Sequence, residues 1–205
     1  MKGIFWNSRG LGDLAKHSFL SNTVKEQHID FIAIMETGRS DFHASALRHL
    51  CGGLEYMWHI MSPRGRSGGM LVGVNTRIFD IGSIVEGDFY TKFVLKNKED
   101  GFTWALLAVY GPAQEDLKSA FLSELAHICT AETYPILIGG DFNIMRKPED
   151  KNNDNFDPRW PHLFNAVIDT VDLREIVMKG RRYTWANNLN PPTYEKLDRI
   201  LMSTE

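Results

Sequence analysis

Three short stretches of this chain are apolar almost without interruption: FIAIM (31–35), WALLAVY (104–110) and PILIGG (135–140). A strand with one face in water alternates apolar and polar residues. A run that is apolar at nearly every position belongs to a strand covered on both faces. The chain must therefore supply covering layers, and it carries candidates for them. Asp13–Gln27 and Asp41–Leu50 read as helices. Leu117, Phe121, Leu125 and Ile128 recur on one helical face, and Pro161–Thr170 is a helix with its proline in the first turn. Further strands are expected at Gly3–Trp6, Tyr56–Ser62, Met70–Asn75 and Ile78–Val85. Tyr90–Asn97 and Phe102–Tyr110 flank KEDG as a β-hairpin. YTWA (183–186) and Lys196–Ser203 form two more strands joined by NNLNPP. Hairpins mixed with helices favour two packed sheets flanked by helices over a purely parallel sheet.

Length and composition narrow the class. The 205 residues suit one α/β domain, and neither a repeat nor an interior linker divides them, so the expectation is a single domain over 1–205. No apolar run approaches a membrane span, and Met1–Asn7 lacks the long apolar stretch of a signal peptide. Cys51 and Cys129 make no disulfide framework and read as reduced thiols of an intracellular protein, with no obligate protein partner evident. A net charge of −3 argues against a broad nucleic-acid-coating surface but leaves room for local basic patches. The polar loop 146–160 is long enough to be a functional surface.

Strong strands in this chain end on polar residues. Asn7 follows GIFW, Glu36 follows FIAIM, Tyr110 follows WALLAV, Asp141 and Asn143 follow ILIGG, and Asp198 lies within KLDRIL. Residues two apart on an extended chain point the same way, so Asp141 and Asn143 can meet one ligand. A carboxylate can hold a hard cation or take a proton from water, and an amide can donate to a phosphate oxygen. Each residue has a plainer alternative. Glu36 and Asp141 could end their strands in solvated turns, Asn7 could cap the turn after it, and Tyr110 could be a core aromatic. Asp198 could pair with Lys196 or Arg199.

In this order and spacing, WNSRGLG, IMETG, AVYGP, GGDFN, YTWANN and KLDRIL resemble the endonuclease/exonuclease/phosphatase superfamily, of DNase-I-like fold. The particular flavour is similar to the apurinic-type endonuclease domain of plant LINE retrotransposons. The resemblance implies a four-layer α/β/β/α sandwich and hydrolysis of a phosphodiester dependent on Mg²⁺, with Mn²⁺ as an alternative ion. It implies double-stranded DNA as substrate, no membrane, and a nuclear place of work. Carried over by position, Glu36 is the principal metal ligand and Asn7 positions the metal or the scissile phosphate. Asp141 aligns or deprotonates the attacking water or contacts metal, Asn143 donates to a phosphate oxygen, and Tyr110 meets the charge developing in the transition state. The resemblance also brings Arg9 and Trp185 forward as nucleic-acid contacts, and Arg64 and Arg66 of the basic, glycine-rich turn PRGRSGG (63–69) could meet a DNA backbone. Solvent-facing turns for the arginines and a core place for Trp185 are the alternatives.

One departure tempers this. Members of the family continue to a Ser-Asp-His whose imidazole pairs with the aspartate matching Asp198. None of the seven histidines here follows a Ser-Asp. The expectation is a domain incomplete at its C-terminus, lacking the last elements of the fold, with weak or absent activity. Two rivals remain: a remnant that binds metal or nucleic acid without turnover, and a hydrolase of another phosphoester.

Overall fold

The chain opens on β1 (Gly3–Asn7), which pairs in parallel with β2 (Phe31–Met35), from Gly3 opposite Phe31 to Asn7 opposite Met35. A parallel pair needs a crossover, and α1 (Leu14–Gln27) supplies it. Asp13 caps this helix, accepting from the Ala15 N–H at 2.8 Å. Then α2 (Ala44–Leu50) follows. It is shorter than the expected Asp41–Leu50 because His43 is extended, at φ −64° and ψ 144°. With β3 (Tyr56–Met61) and β4 (Met70–Asn75) the chain completes a four-stranded sheet in the order β1-β2-β4-β3. The computed structural model describes residues 1–64 and 68–204.

Contacts along the chain separate two units, Met1–Glu86 with Thr91–Ala108, and Gly87–Tyr90 with Val109–Glu205. In the first, every residue of β2 and β4 is buried, as their unbroken apolar runs require. Leu20 and Val24 of α1 and Leu50 of α2 meet Ile32, Ile34 and Leu71 in one apolar cluster. Three further strands follow as an antiparallel succession: β5 (Phe79–Glu86), β6 (Tyr90–Asn97) and β7 (Thr103–Tyr110). The expected KEDG turn joins β6 to β7, with Gly101 at φ +74°. Trp104 of β7 meets Phe31 of β2 at 6.1 Å and Phe79 of β5 at 5.8 Å. These aromatics join the two sheets within this unit.

The second unit holds the end of β7, a single turn at Glu115–Leu117, then α3 (Lys118–Ala131) and β8 (Ile136–Asp141). After these come α4 (Arg159–Thr170), β9 (Leu173–Glu175), β10 (Trp185–Ala186), β11 (Tyr194–Glu195) and β12 (Asp198–Ser203). Phe121, Leu125 and Ile128 are buried on α3 as their spacing predicts. Leu117 falls in the preceding turn and is exposed. A ladder of rings runs from Phe121 of α3 through Phe142 to Phe164 of α4, at 6.3 and 5.1 Å.

β12 lies between β8 and β9, antiparallel to both, with Asp198 opposite Asp141 and Leu201 opposite Glu175. The strand expected from Lys196 begins at Asp198, and YTWA pairs only through Trp185 and Ala186 with β11. β9 is an addition to the sequence reading. Beneath β12 sits an ion cluster. Buried Arg199 donates to Asp150 at 2.5 Å and to Glu175 at 3.0 Å, while Arg146 and Lys196 reach Glu175 at 2.9 and 2.5 Å. Burial opposes ionisation of Glu175, yet the Lys196 ammonium and the Arg199 and Arg146 guanidiniums outweigh it and hold the carboxyl at about 2. Asp150 thereby anchors the first part of the loop 146–160.

Candidate functional site

In the first unit the chain brings Asn7 and Glu36 together. Parallel pairing sets Asn7 beside Met35, one residue short of Glu36, and the Asn7 Nδ2 donates to Glu36 Oε1 at 2.8 Å. Both chains then leave the sheet side by side: Ser8 N–H reaches Met35 O at 2.9 Å, and Gly10 N–H reaches Glu36 O at 2.6 Å. Buried Ser8 adds its hydroxyl, donating towards the Met35 and Glu36 carbonyls at 3.1 Å each. Lys16 ties the turn from the helix side, reaching the carbonyls of Ser8 at 2.7 Å and Gly10 at 2.9 Å.

Glu36 itself is held at φ +54°, a backbone region that side chains seldom adopt. What holds it there is the end of the glycine-rich turn. Gly38 N–H donates to Gly68 O at 2.7 Å, and a Cβ on Gly68 would stand 2.8 Å from the Glu36 Cα. Only glycine allows that approach. In the sequence this turn stands out for its arginines, but its glycines are what touch the candidate ligand. The adjacent pair Gly68-Gly69 before a buried strand is the signal that could have shown it.

The second unit gathers the other acids and amides. The Asp141 carboxylate, 3% exposed as a residue, accepts from the Asn143 N–H at 3.0 Å. Asn143 lies at φ +49° and donates through Nδ2 to Gly111 O at 2.8 Å. Gly111, next to Tyr110, donates in turn to Asp141 O at 2.7 Å. A Cβ on Gly111 would fall 2.3 Å from Phe142 O, and one on Gly140 would fall 1.9 Å from Val109 O. The glycines of AVYGP and GGDFN thus let two strand ends close on each other. Asp198 is in register with Asp141, and the Thr184 hydroxyl accepts from the Leu197 and Asp198 N–H groups at 3.0 and 3.1 Å. Lys196 and Arg199, the candidate partners of Asp198, are engaged by Glu175 and Asp150.

The candidate nucleic-acid contacts divide between the two units, Arg9 and Arg64 in the first and Trp185 in the second. Arg9 is exposed at φ +48° beside Asn7, its N–H donating to Asn7 Oδ1 at 3.2 Å. Arg64 is exposed and pairs with Glu86 at 2.6 Å. Arg66 lies outside the described residues. Trp185 is half-buried on β10, opposite Glu195.

Asn7 and Glu36 form one hydrogen-bonded pair, and Asp141, Asn143 and Gly111 form a hydrogen-bonded group of their own. The endonuclease/exonuclease/phosphatase family matches residues 4–205. The chain belongs to that family. Solved structures of the family show the same fold. An AP endonuclease from Leishmania major superposes with a TM-score of 0.76 at 16% identity, over 98% of this chain and 78% of its own. An AP endonuclease from Archaeoglobus fulgidus gives 0.74 at 14% identity, over 99% and 86%. A mannosyl-6-phosphatase from Bacteroides thetaiotaomicron gives 0.64 at 16% identity, over 99% and 85%. No curated protein sequence matches the chain. The mixed α/β architecture expected from the motifs is therefore the DNase-I-like fold of this family, which serves nucleases and phosphatases alike. Among the described residues, no helix is long and apolar enough to cross a membrane.

The donor set is of a particular kind. No cluster of three or more Asp, Glu, His or Cys residues suited to a metal occurs among the described residues. Glu36, steadied by Asn7, is a lone carboxylate of hard oxygen donors. Such a group fits Mg²⁺, which binds through one or two carboxylates and keeps several waters.

Proposed function

We propose that this chain hydrolyses a phosphodiester of double-stranded DNA, as a nicking endonuclease of the LINE type with a divalent cation, Mg²⁺ or Mn²⁺. In an element of that type the nick supplies the 3′-hydroxyl that primes reverse transcription. The observation that carries the proposal is Asp141: a nearly buried carboxylate, fixed by the Asn143 N–H and set in register with Asp198, at the position where the family motif has its catalytic acid.

Glu36 would hold the cation, and Asn7 orients its carboxylate. When bound, the cation would withdraw charge from a phosphate oxygen. Asp141 aligns the attacking water and takes its proton. Asn143 offers its amide to a phosphate oxygen, and Tyr110 directs its hydroxyl at the charge that builds up in the transition state. Asp198 acts as an orienting acid beside Asp141. Arg9, Arg64, Arg66 and Trp185 contact the DNA.

The test is relaxation of supercoiled plasmid by the purified chain with Mg²⁺, beside Asp141→Ala and Glu36→Gln. Mg²⁺-dependent nicking that falls by about 10²–10⁴-fold in Asp141→Ala is the expected result. A folded chain that leaves plasmid intact while hydrolysing a small phosphomonoester would move the assignment to the phosphatases of the family. A rate equal in wild type and Asp141→Ala would sink the role given to that residue.

A further inference from the structure

In the second unit, the turn at 147–150 and the segment between β9 and β10 line an open cavity of about 470 Å³. Four cations line it: Lys147, Arg181, Arg182 and Lys196. Two of them already have partners. Arg182 donates to the Glu149 carbonyl through Nε and Nη2 at 3.1 and 2.9 Å, with its guanidinium 5.4 Å from the Tyr183 ring centre. Lys196 is paired with Glu175 at 2.5 Å.

Lys147 and Arg181 differ. Both are exposed, and neither has an ion pair among the described residues. The acids in the lining do not cancel them. Asp150 is buried and committed to Arg199 at 2.5 Å, which leaves Glu149 alone against the excess. A positive recess in a chain of net charge −3 is a local feature. Val177, 85% exposed, stands at its rim. Cations and an exposed apolar residue lining one recess suit a ligand with phosphate on one side and a sugar or base face on the other.

We propose that this cavity binds a backbone phosphate of the nucleic-acid substrate, with Lys147 and Arg181 as its charge donors and Arg182 as a fixed wall. The inference rests on the nucleic-acid substrate proposed above. It adds a grip on the strand that involves none of the residues assigned to hydrolysis. Arg182, held by Glu149 O and by Tyr183, gives the cavity a rigid side, so little ordering opposes binding.

The experiment is fluorescence anisotropy of a short labelled duplex, and of the same strand single, with EDTA present so that nothing is cleaved. Wild type is compared with the double variant Lys147→Gln/Arg181→Gln. Lys25→Gln/Lys98→Gln, which removes the same charge from the first unit, is the control. The double variant is expected to bind about tenfold or more weakly, and its slope of log K against log salt should fall by about 1 to 2. The control should match wild type. Equal losses in both variants would make the effect one of net charge and overturn the inference. Wild-type binding that the double variant retains in full overturns it while leaving the nuclease reading intact. Wild type that binds neither duplex nor single strand refutes the nucleic-acid substrate, and this cavity's assignment with it. A loss seen on anionic phosphatidylserine vesicles and absent on oligonucleotides would also overturn it.

Discussion

Replacing Glu175 with glutamine tests whether the ion cluster beneath β12 fixes the strand that carries Asp198. Glu175 receives Arg199 at 3.0 and 3.2 Å, Arg146 at 2.9 Å and Lys196 at 2.5 Å, and its side chain is 17% exposed. Removing the charge leaves buried Arg199 with Asp150 alone, a change of the kind that costs about 3–5 kcal/mol. Linkage gives a similar figure. A carboxyl moved from 4.5 to about 2 contributes roughly 3 kcal/mol at neutral pH, at about 1.4 kcal/mol per pH unit. The sign follows from the direction. A depressed carboxyl stabilises fully above its unfolded value of 4.5, and that stability is lost as pH falls through the folded value near 2. Urea unfolding of wild type and Glu175→Gln at pH 7 should thus differ by about 3 kcal/mol, on the order of 1 M in midpoint. At pH 3 the gap should close to about half. A gap of the same size at both pH values would refute the account, since it would then arise from packing and not from charge.

Three further substitutions address the strand ends. Gly68→Ala places a Cβ 2.8 Å from the Glu36 Cα; it should cost about 1–3 kcal/mol and weaken Mg²⁺ or Mn²⁺ binding by about 10–100-fold in a titration. Gly140→Ala would set a Cβ 1.9 Å from Val109 O at a residue with φ +144°; a loss above about 3 kcal/mol should lower the melting temperature by roughly 10 °C, or leave the chain insoluble. Thr184→Val strips the acceptor from the Leu197 and Asp198 N–H groups and should cost about 1–3 kcal/mol in urea unfolding, whereas Thr184→Ser should recover most of it.

The sequence declares its long strands because burial on both faces leaves no choice of residue. FIAIM and WALLAVY are legible for that reason, and so are the polar residues that end them. What escapes is anything fixed by distant partners. The sequence offers Arg199 only as a neighbour for Asp198, yet it is buried against Asp150, 49 residues away, and Glu175, 24 residues away. β9 spans three residues, of which only Leu173 is apolar, so no period marks it. β10 and β11 are two residues each and exist through pairing across the 187–193 loop. The candidate site shares this division. Its acids and amides are visible as motifs, while Ser8, Lys16 and Gly68, which hold Glu36 in place, act through backbone contacts that no motif spells out.

The backbone offers an independent sign that the strand ends are built for something other than stability. Five non-glycine residues in the described chain have positive φ: Arg9, His28, Glu36, Asn143 and Asp172. His28 and Asp172 close α1 and α4, where a left-handed residue is the ordinary way to end a helix. The other three have no such role, and all three are candidate functional residues. Each left-handed residue costs about 1 kcal/mol, a cost that glycine would avoid. Glu36 and Asn143 keep their side chains in contact with Asn7 and Gly111, so glycine there would lose hydrogen bonds as well as strain. Arg9 is different: its exposed side chain carries none of the hydrogen bonds that fix the turn, which run through its backbone. Arg9→Gly should therefore raise stability by a few tenths to about 1 kcal/mol while weakening DNA binding. A substitution that stabilises the fold and impairs the proposed activity is the mark of a residue kept for function. A variant that lost stability, or bound DNA as wild type does, would return Arg9 to the turn as a structural residue.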